Sequence, residues 1–104
     1  MPTEADWKLF RKLLPEWQER YMEKLCRDYI KVLSGDGLAS DRFWKIHKMV
    51  NRDVHKIGVQ AEMSRSEMFF NILSLLKEKA ITMKDLEGFS DELKDAVIMR
   101  VGKK

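Results

Sequence analysis

Cysteine is all but missing from this chain. With Cys26 alone among 104 residues, no internal disulfide can form and no zinc cluster can be assembled from thiolates. Long apolar runs are missing too: the greasiest stretch, Met68–Leu76, is far short of the ~20 residues that cross a bilayer. No repeat, low-complexity tract or period-two strand alternation is present. Neither sign of charge dominates. Twenty Lys and Arg against 17 Asp and Glu leave a net +3, a weak footprint for nucleic acid, although a pI near 9 permits acidic partners. The N-terminal MPTEADWK carries acids where a signal peptide needs a basic region and an apolar core. We therefore expect a soluble, cytoplasmic protein whose single thiol suits a reducing compartment. The signatures of catalysis are absent as well: there is no phosphate loop, no Gly-x-Ser-x-Gly elbow and no His/carboxylate cluster at metal spacing. The acids Asp85, Glu87, Asp91, Glu92 and Asp95 gather at helix starts, where the helix dipole accounts for them. The expectation is no enzyme, cofactor, metal or small-molecule ligand.

What the chain does hold is material for a core. Its hydrophobic fraction of 44% includes three Trp, five Phe and seven Met, enough for one domain spanning residues 1–104 that buries roughly 60–70% of its unfolded surface. The most informative segment is Ser64–Lys79, SRSEMFFNILSLLKEK. It opens on a potential capping box, Ser64 with Glu67. Behind it, the apolar residues from Met68 to Leu76 cover more than half of a helical circumference, leaving Glu67, Asn71, Ser74 and Glu78 as a narrow polar seam. Such a helix belongs at the centre of a bundle.

The other helices follow from spacing. Thr3 with Asp6 caps a first helix whose stripe, Trp7, Phe10, Leu14, Trp17, Tyr21, Leu25 and Val32, runs to about Leu33. Pro15 interrupts it, but the stripe keeps its phase, which favours one kinked helix over two. Ser34-Gly35-Asp36-Gly37 is a turn. Ser40 caps a second helix from Asp41 to about Ile57 with Phe43, Ile46, Val50, Val54 and Ile57 facing inward, and Gly58 supplies its C-cap. Thr82 with Asp85 caps a short piece, and Ser90 caps a last helix to about Val101.

Two surfaces on the second helix are candidate sites. Trp44, Asn51 and His55 share one flank and form a candidate protein-binding patch. Lys45, Lys48, Arg52 and Lys56 form a cationic stripe that could track phosphates, with Asp41 and Asp53 lying outside it. His47 falls inside the apolar arc and is expected to be buried and hydrogen-bonded. His47 and His55, eight residues apart, are about 12 Å apart in rise, too far for a shared metal. On the first helix Glu16–Arg20 and Glu23–Arg27 stand in the favourable four-residue order, so that face is expected to neutralise itself without a further role. Met63–Met68 is similar to the start of the second helix in ribbon-helix-helix repressors, but the basic strand that fold needs is replaced here by the turn before Ser40. A helix-turn-helix over 41–57 and 64–79 would aim Glu67 and Glu78 at DNA, where they repel it.

MSRSEMFFNILSLL followed by ITMKDLEGFSDELKDAV, within residues 62–99, resembles short all-helical bacterial proteins of unknown function. The resemblance implies an all-helical fold and transfers no activity or site residue. The residues thus lead to an all-α, compact bundle of four main helices, with a long kinked first helix and an apolar central one. The expected function is a protein-binding adaptor, inhibitor or regulatory module that binds a protein partner or its own copies, with nucleic-acid binding through the basic stripe as the alternative.

Overall fold

A computed structural model describes residues 3–102. They form four helices and no strand among the described residues: α1 (Glu4–Leu33), α2 (Ala39–Asp53), α3 (Met68–Lys77) and α4 (Asp91–Val101). One 3₁₀ turn, Arg65–Glu67, precedes α3, and another, Met83–Leu86, lies between α3 and α4. The fold is all-α with a long first helix.

α1 passes through Pro15 as one 30-residue helix. A proline in a helix interior costs about 3 kcal/mol through its missing bond and its clash. Burial on both sides of it offsets that cost: Phe10 and Leu14 before it, Trp17, Tyr21 and Leu25 after it, all lie in the core. Against the first two thirds of this helix pack Met68, Ile72 and Leu75 of α3 and Leu93 and Val97 of α4, each essentially sealed from solvent.

The ends of these elements are tied to one another. Thr3 and Asp6 form the expected capping box on α1, with the Asp6 amide donating to Thr3 Oγ1 at 3.0 Å and the Thr3 amide donating to Asp6 Oδ2 at 3.1 Å. The same carboxylate also accepts from the Ser90 amide (2.8 Å) and the Ser90 hydroxyl (2.6 Å), while Ser90 Oγ accepts from the Leu93 amide and caps α4. Two helices therefore start on one buried side chain. Burial works against the Asp6 charge, but the bonds from Ser90 and Thr3 prevail and hold its carboxyl below the usual range.

Thr82 and Asp85 form a second capping box, and Arg20 braces it from α1 by donating to both Asp85 oxygens (3.3 and 3.1 Å) and to the Ala80 carbonyl (3.2 Å). The first helix's polar face is thus not without a role, as its four-residue pairs suggested. Glu23–Arg27 does pair, at 3.6 Å.

Three local expectations are corrected. The first concerns the central helix, which begins at Met68. Ser64 makes no cap; its hydroxyl pairs with Ser66, and Arg65 reaches across the molecule to Glu4 and over the Trp7 ring. The helix is also turned from its expected setting: Asn71 of the polar seam is buried, while Phe70 is half exposed and Leu73 only partly covered. The second concerns Gly58, which does not cap α2, since α2 stops at Asp53. A Cβ at Gly58 would lie closer than 3.0 Å to three atoms of the Tyr21 ring, so glycine is needed where the chain crosses that ring. There the Ile57 and Gly58 amides both donate to the Glu78 carboxylate at 2.9 Å, and Gln18 donates to the Ile57 carbonyl.

The third concerns α2, which adds no apolar side chain to the buried core. Together with the last third of α1 it forms a two-helix arm. The molecule measures 51 × 28 × 18 Å with a radius of gyration of 16.3 Å, against about 13 Å for a rounded domain of this length.

Two substitutions test this packing. Ile72→Ala should cost about 3–4 kcal/mol in urea unfolding and Leu73→Ala about 1, since only the former empties a sealed site. At the end of α3 the Ala80 amide donates to the Leu75 carbonyl and the Lys79 amide to the Leu76 carbonyl, with Lys79 at φ 66°. That is the left-handed position glycine prefers, so Lys79→Gly should stabilise by about 0.5–1 kcal/mol.

Candidate protein-interaction surface

The rotation of α2 about its own axis decides which side chains it offers. The helix starts without a side-chain cap; Ser40 lies inside it and Leu38 takes the cap position. The tie at this end is Arg42, which donates to the Leu33 carbonyl at 2.6 Å and to the Gly37 carbonyl at 2.9 Å, closing the 34–37 turn back onto α1. At the other end Asp53, 1% exposed, accepts from the Tyr29 hydroxyl of α1 at 2.7 Å. Arg52 donates to both of its oxygens (2.8 and 3.1 Å), and Lys56 approaches to 3.4 Å.

With Arg42 and Asp53 fixed against α1, the inner face is Arg42, Ile46, Met49 and Asp53, at steps of four, three and four. The stripe expected to face inward, Phe43, Val50 and Val54, lies one residue further round and is exposed. Phe43 and Trp44 are 62% and 61% exposed. Their rings meet edge to face at 5.1 Å, and Trp44 meets His47 likewise at 5.5 Å.

His47 is therefore exposed rather than buried, and its Nε2 lies 3.1 Å from the Asn51 amide nitrogen. Of the expected protein-binding residues, Trp44 and Asn51 are both exposed on α2, whereas His55 is exposed on the turn beyond its end. The outward cluster is Phe43, Trp44, His47 and Asn51. Phe43 was legible only as a core residue, and no spacing rule marks it as belonging with Trp44.

The cationic stripe is divided by Asp53. Arg52 and Lys56 are held in ion pairs with it, while Lys45 and Lys48 stand exposed. Lys31 of α1 joins Lys45 along the groove between the two helices, an addition invisible when each helix is read alone.

The titration of the arm is governed by the same carboxylate. Burial opposes the Asp53 charge, but the bonds from Arg52 and Tyr29 and the cationic charge outweigh it and hold the carboxyl at about 2. Burial and the neighbouring Asp53 push the Tyr29 hydroxyl up to about 12. Among the described residues no buried side-chain polar atom lacks a partner, and no group of three or more His, Cys, Asp or Glu is placed to hold a metal. No described helix is long and apolar enough to cross a membrane. Away from the arm, an apolar cleft of about 460 Å³ lies between α3 and α4, with Leu73, Leu76, Met83 and Val101 in its walls and Arg100 at its rim.

Asp53→Asn should lower stability by about 1–3 kcal/mol near neutral pH, since it removes the counter-charge from Arg52 and Lys56 and replaces one of the two oxygens that accept from Tyr29 and Arg52 with an NH2 group that can only donate. The folded carboxyl titrates below its ordinary value of 3.8, so its contribution is complete above that value and fades as pH falls toward about 2. The Tyr29 contribution is complete below its ordinary value of 10 and is lost as pH rises toward about 12. Urea unfolding of the native chain and Asp53→Asn at stepped pH should show curves that converge at the acid end; a constant gap would contradict this assignment. No family model, no curated protein and no solved structure matches the chain.

Proposed function

We propose that this chain is a small helical protein-binding module, an adaptor, inhibitor or regulatory protein, that works through the outer side of α2. One observation carries the reading: two adjacent large aromatic side chains, Phe43 and Trp44, stand mostly in solvent on a helix whose rotation is pinned at both ends. Exposed aromatics of this size are unfavourable in water, and tryptophan is among the residues that contribute most where protein surfaces meet. Asn51 and His47 add hydrogen-bonding groups beside them. His55 lies further along, on the turn beyond the opposite end of α2.

The nucleic-acid alternative has less to support it. Asp53 pairs with both Arg52 and Lys56 and cancels one of their two charges, which leaves Lys45, Lys48 and Lys31 as the cations outside this cluster. A patch that small supplies few phosphate contacts. The reading assigns no reaction to the chain and requires no cofactor.

A tagged pull-down from native lysate, with and without nuclease, tests the proposal. Phe43→Ser with Trp44→Ser should remove a nuclease-resistant protein partner while unfolding free energy changes by less than about 0.5 kcal/mol, as for other exposed sites. Recovery that disappears with nuclease and with Lys45→Glu/Lys48→Glu, but survives the aromatic substitutions, would replace this reading with the nucleic-acid one.

A further inference from the structure

The two long faces of the arm differ in chemistry. One carries the cations: Lys31 and Lys45 line the groove between the helices there, with Lys48 next along α2. On the other, Met22, Cys26 and Tyr29 of α1 face Val50 and Val54 of α2 across a narrow apolar groove of about 180 Å³. Phe43, seven residues before Val50, continues the α2 side of this strip, and Leu33, seven after Cys26, continues the α1 side. Trp44 leans edge-on against Phe43 and widens the strip.

Two antiparallel helices bury only the seam between them, and an apolar face beside that seam is ordinarily covered by another layer. None of the described elements supplies that cover, since Phe43, Trp44, Leu33 and Val50 all remain 40% exposed or more. We propose that a second copy of this chain covers the strip, arm against arm about a twofold axis, so that two hairpins close into a four-helix assembly. This rests on the reading of the α2 surface as a protein-binding one and names its partner.

Three features point to a copy of the same chain. A twofold contact uses one patch twice, so the patch must not repel itself. The strip of Met22, Cys26, Leu33, Phe43, Val50 and Val54 carries no charge, and Asp53, which also lines the groove, is buried and paired, whereas the opposite face would set lysines, with Asp41 among them, against lysines. The area also suffices. Phe43 and Trp44 together expose on the order of 250 Å², and their aliphatic neighbours bring the strip to roughly 500–600 Å² per copy, or about 1,100 Å² for a pair, which clears the ~1,000 Å² expected of a specific contact and sits just under the ~1,200–2,000 Å² of standard stable ones. Finally, pairing two hairpins along their apolar edges produces a four-helix bundle, the common way such edges are closed.

Sedimentation velocity on the full chain in reducing buffer, from about 5 to 200 µM, reads this directly, because self-association depends on concentration. The expected species is twice the 12.3 kDa chain mass. Phe43→Glu with Val50→Glu should weaken the pairing about 100-fold and yield a monomer with unchanged helical circular dichroism. Phe43→Glu alone, at the more exposed of the two positions, serves if the double variant fails to fold. Lys45→Glu/Lys48→Glu, on the opposite face, should stay dimeric. The proposal is overturned by a monomer across the whole range, by a dimer that survives Phe43→Glu, or by one that the lysine substitutions break. If the chain is a monomer, the pull-down separates the two ideas. A protein partner lost with Phe43→Glu leaves the binding-surface reading standing without self-association; a pull-down that Phe43→Glu leaves unaltered removes both.

Discussion

The hydrogen bond from the Tyr29 hydroxyl to Asp53 joins the two helices of the arm at the one point where a charge is enclosed, and the setting of every other side chain on α2 follows from it. Once Asp53 is held against α1, the positions four, seven and eleven residues back turn inward with it: Met49, Ile46 and Arg42. Arg42 confirms the rotation at the far end through two backbone carbonyls. The phenylalanine and two valines that would otherwise seem destined for the interior are carried about 100° round the helix, into solvent. A buried carboxylate tolerates this position because Arg52, Lys56 and Tyr29 all donate to it or lie beside it.

The rest of the molecule is built on a different balance. Around the first two thirds of α1, apolar side chains are sealed and the helix ends share partners: Asp6 serves two caps, and Arg20 braces a third. The arm has one carboxylate, one arginine clamp and a thin seam. Regions with few buried apolar contacts open at lower free energy and are where binding surfaces are commonly found. The exposed aromatics fall in that part of the chain.

What could be read from the residues was mostly local. Thr3 with Asp6, Thr82 with Asp85 and Ser90 all cap as their spacing indicates, because a cap needs only the three or four residues beside it. The continuity of α1 through Pro15 was legible from the phase of its stripe. What could not be read was partnership across the chain. Ser64 and Glu67 have the spacing of a capping box, yet Arg65 is engaged by Glu4 and Trp7 some 60 positions away, and the segment winds as a 3₁₀ turn instead. Glu78 reads as one member of a polar seam and in fact holds two amides of the segment after α2. Helical periodicity also shows that α2 is amphipathic without fixing which edge of a broad stripe turns inward. Ile46 belongs to both candidate faces, and the choice between Val50 and Met49 rested with Asp53, a residue that composition alone places outside. The candidate site suffered most, since Trp44 was visible as an outlier but Phe43 was hidden among presumed core residues.

α1 also acts as a ruler between the two parts of the molecule. At 1.5 Å per residue its 30 residues span about 45 Å, most of the 51 Å long axis. Because one unbroken helix links body and arm, its length sets their separation and its phase sets the direction in which the arm's faces point. Adding or removing a single residue between the two would swing the apolar and basic faces by about 100° relative to the body, whereas a change of seven would shift them by only about 20°. Insertions or deletions in α1 between body and arm can therefore keep the same surface aimed the same way only in steps of about two helical turns.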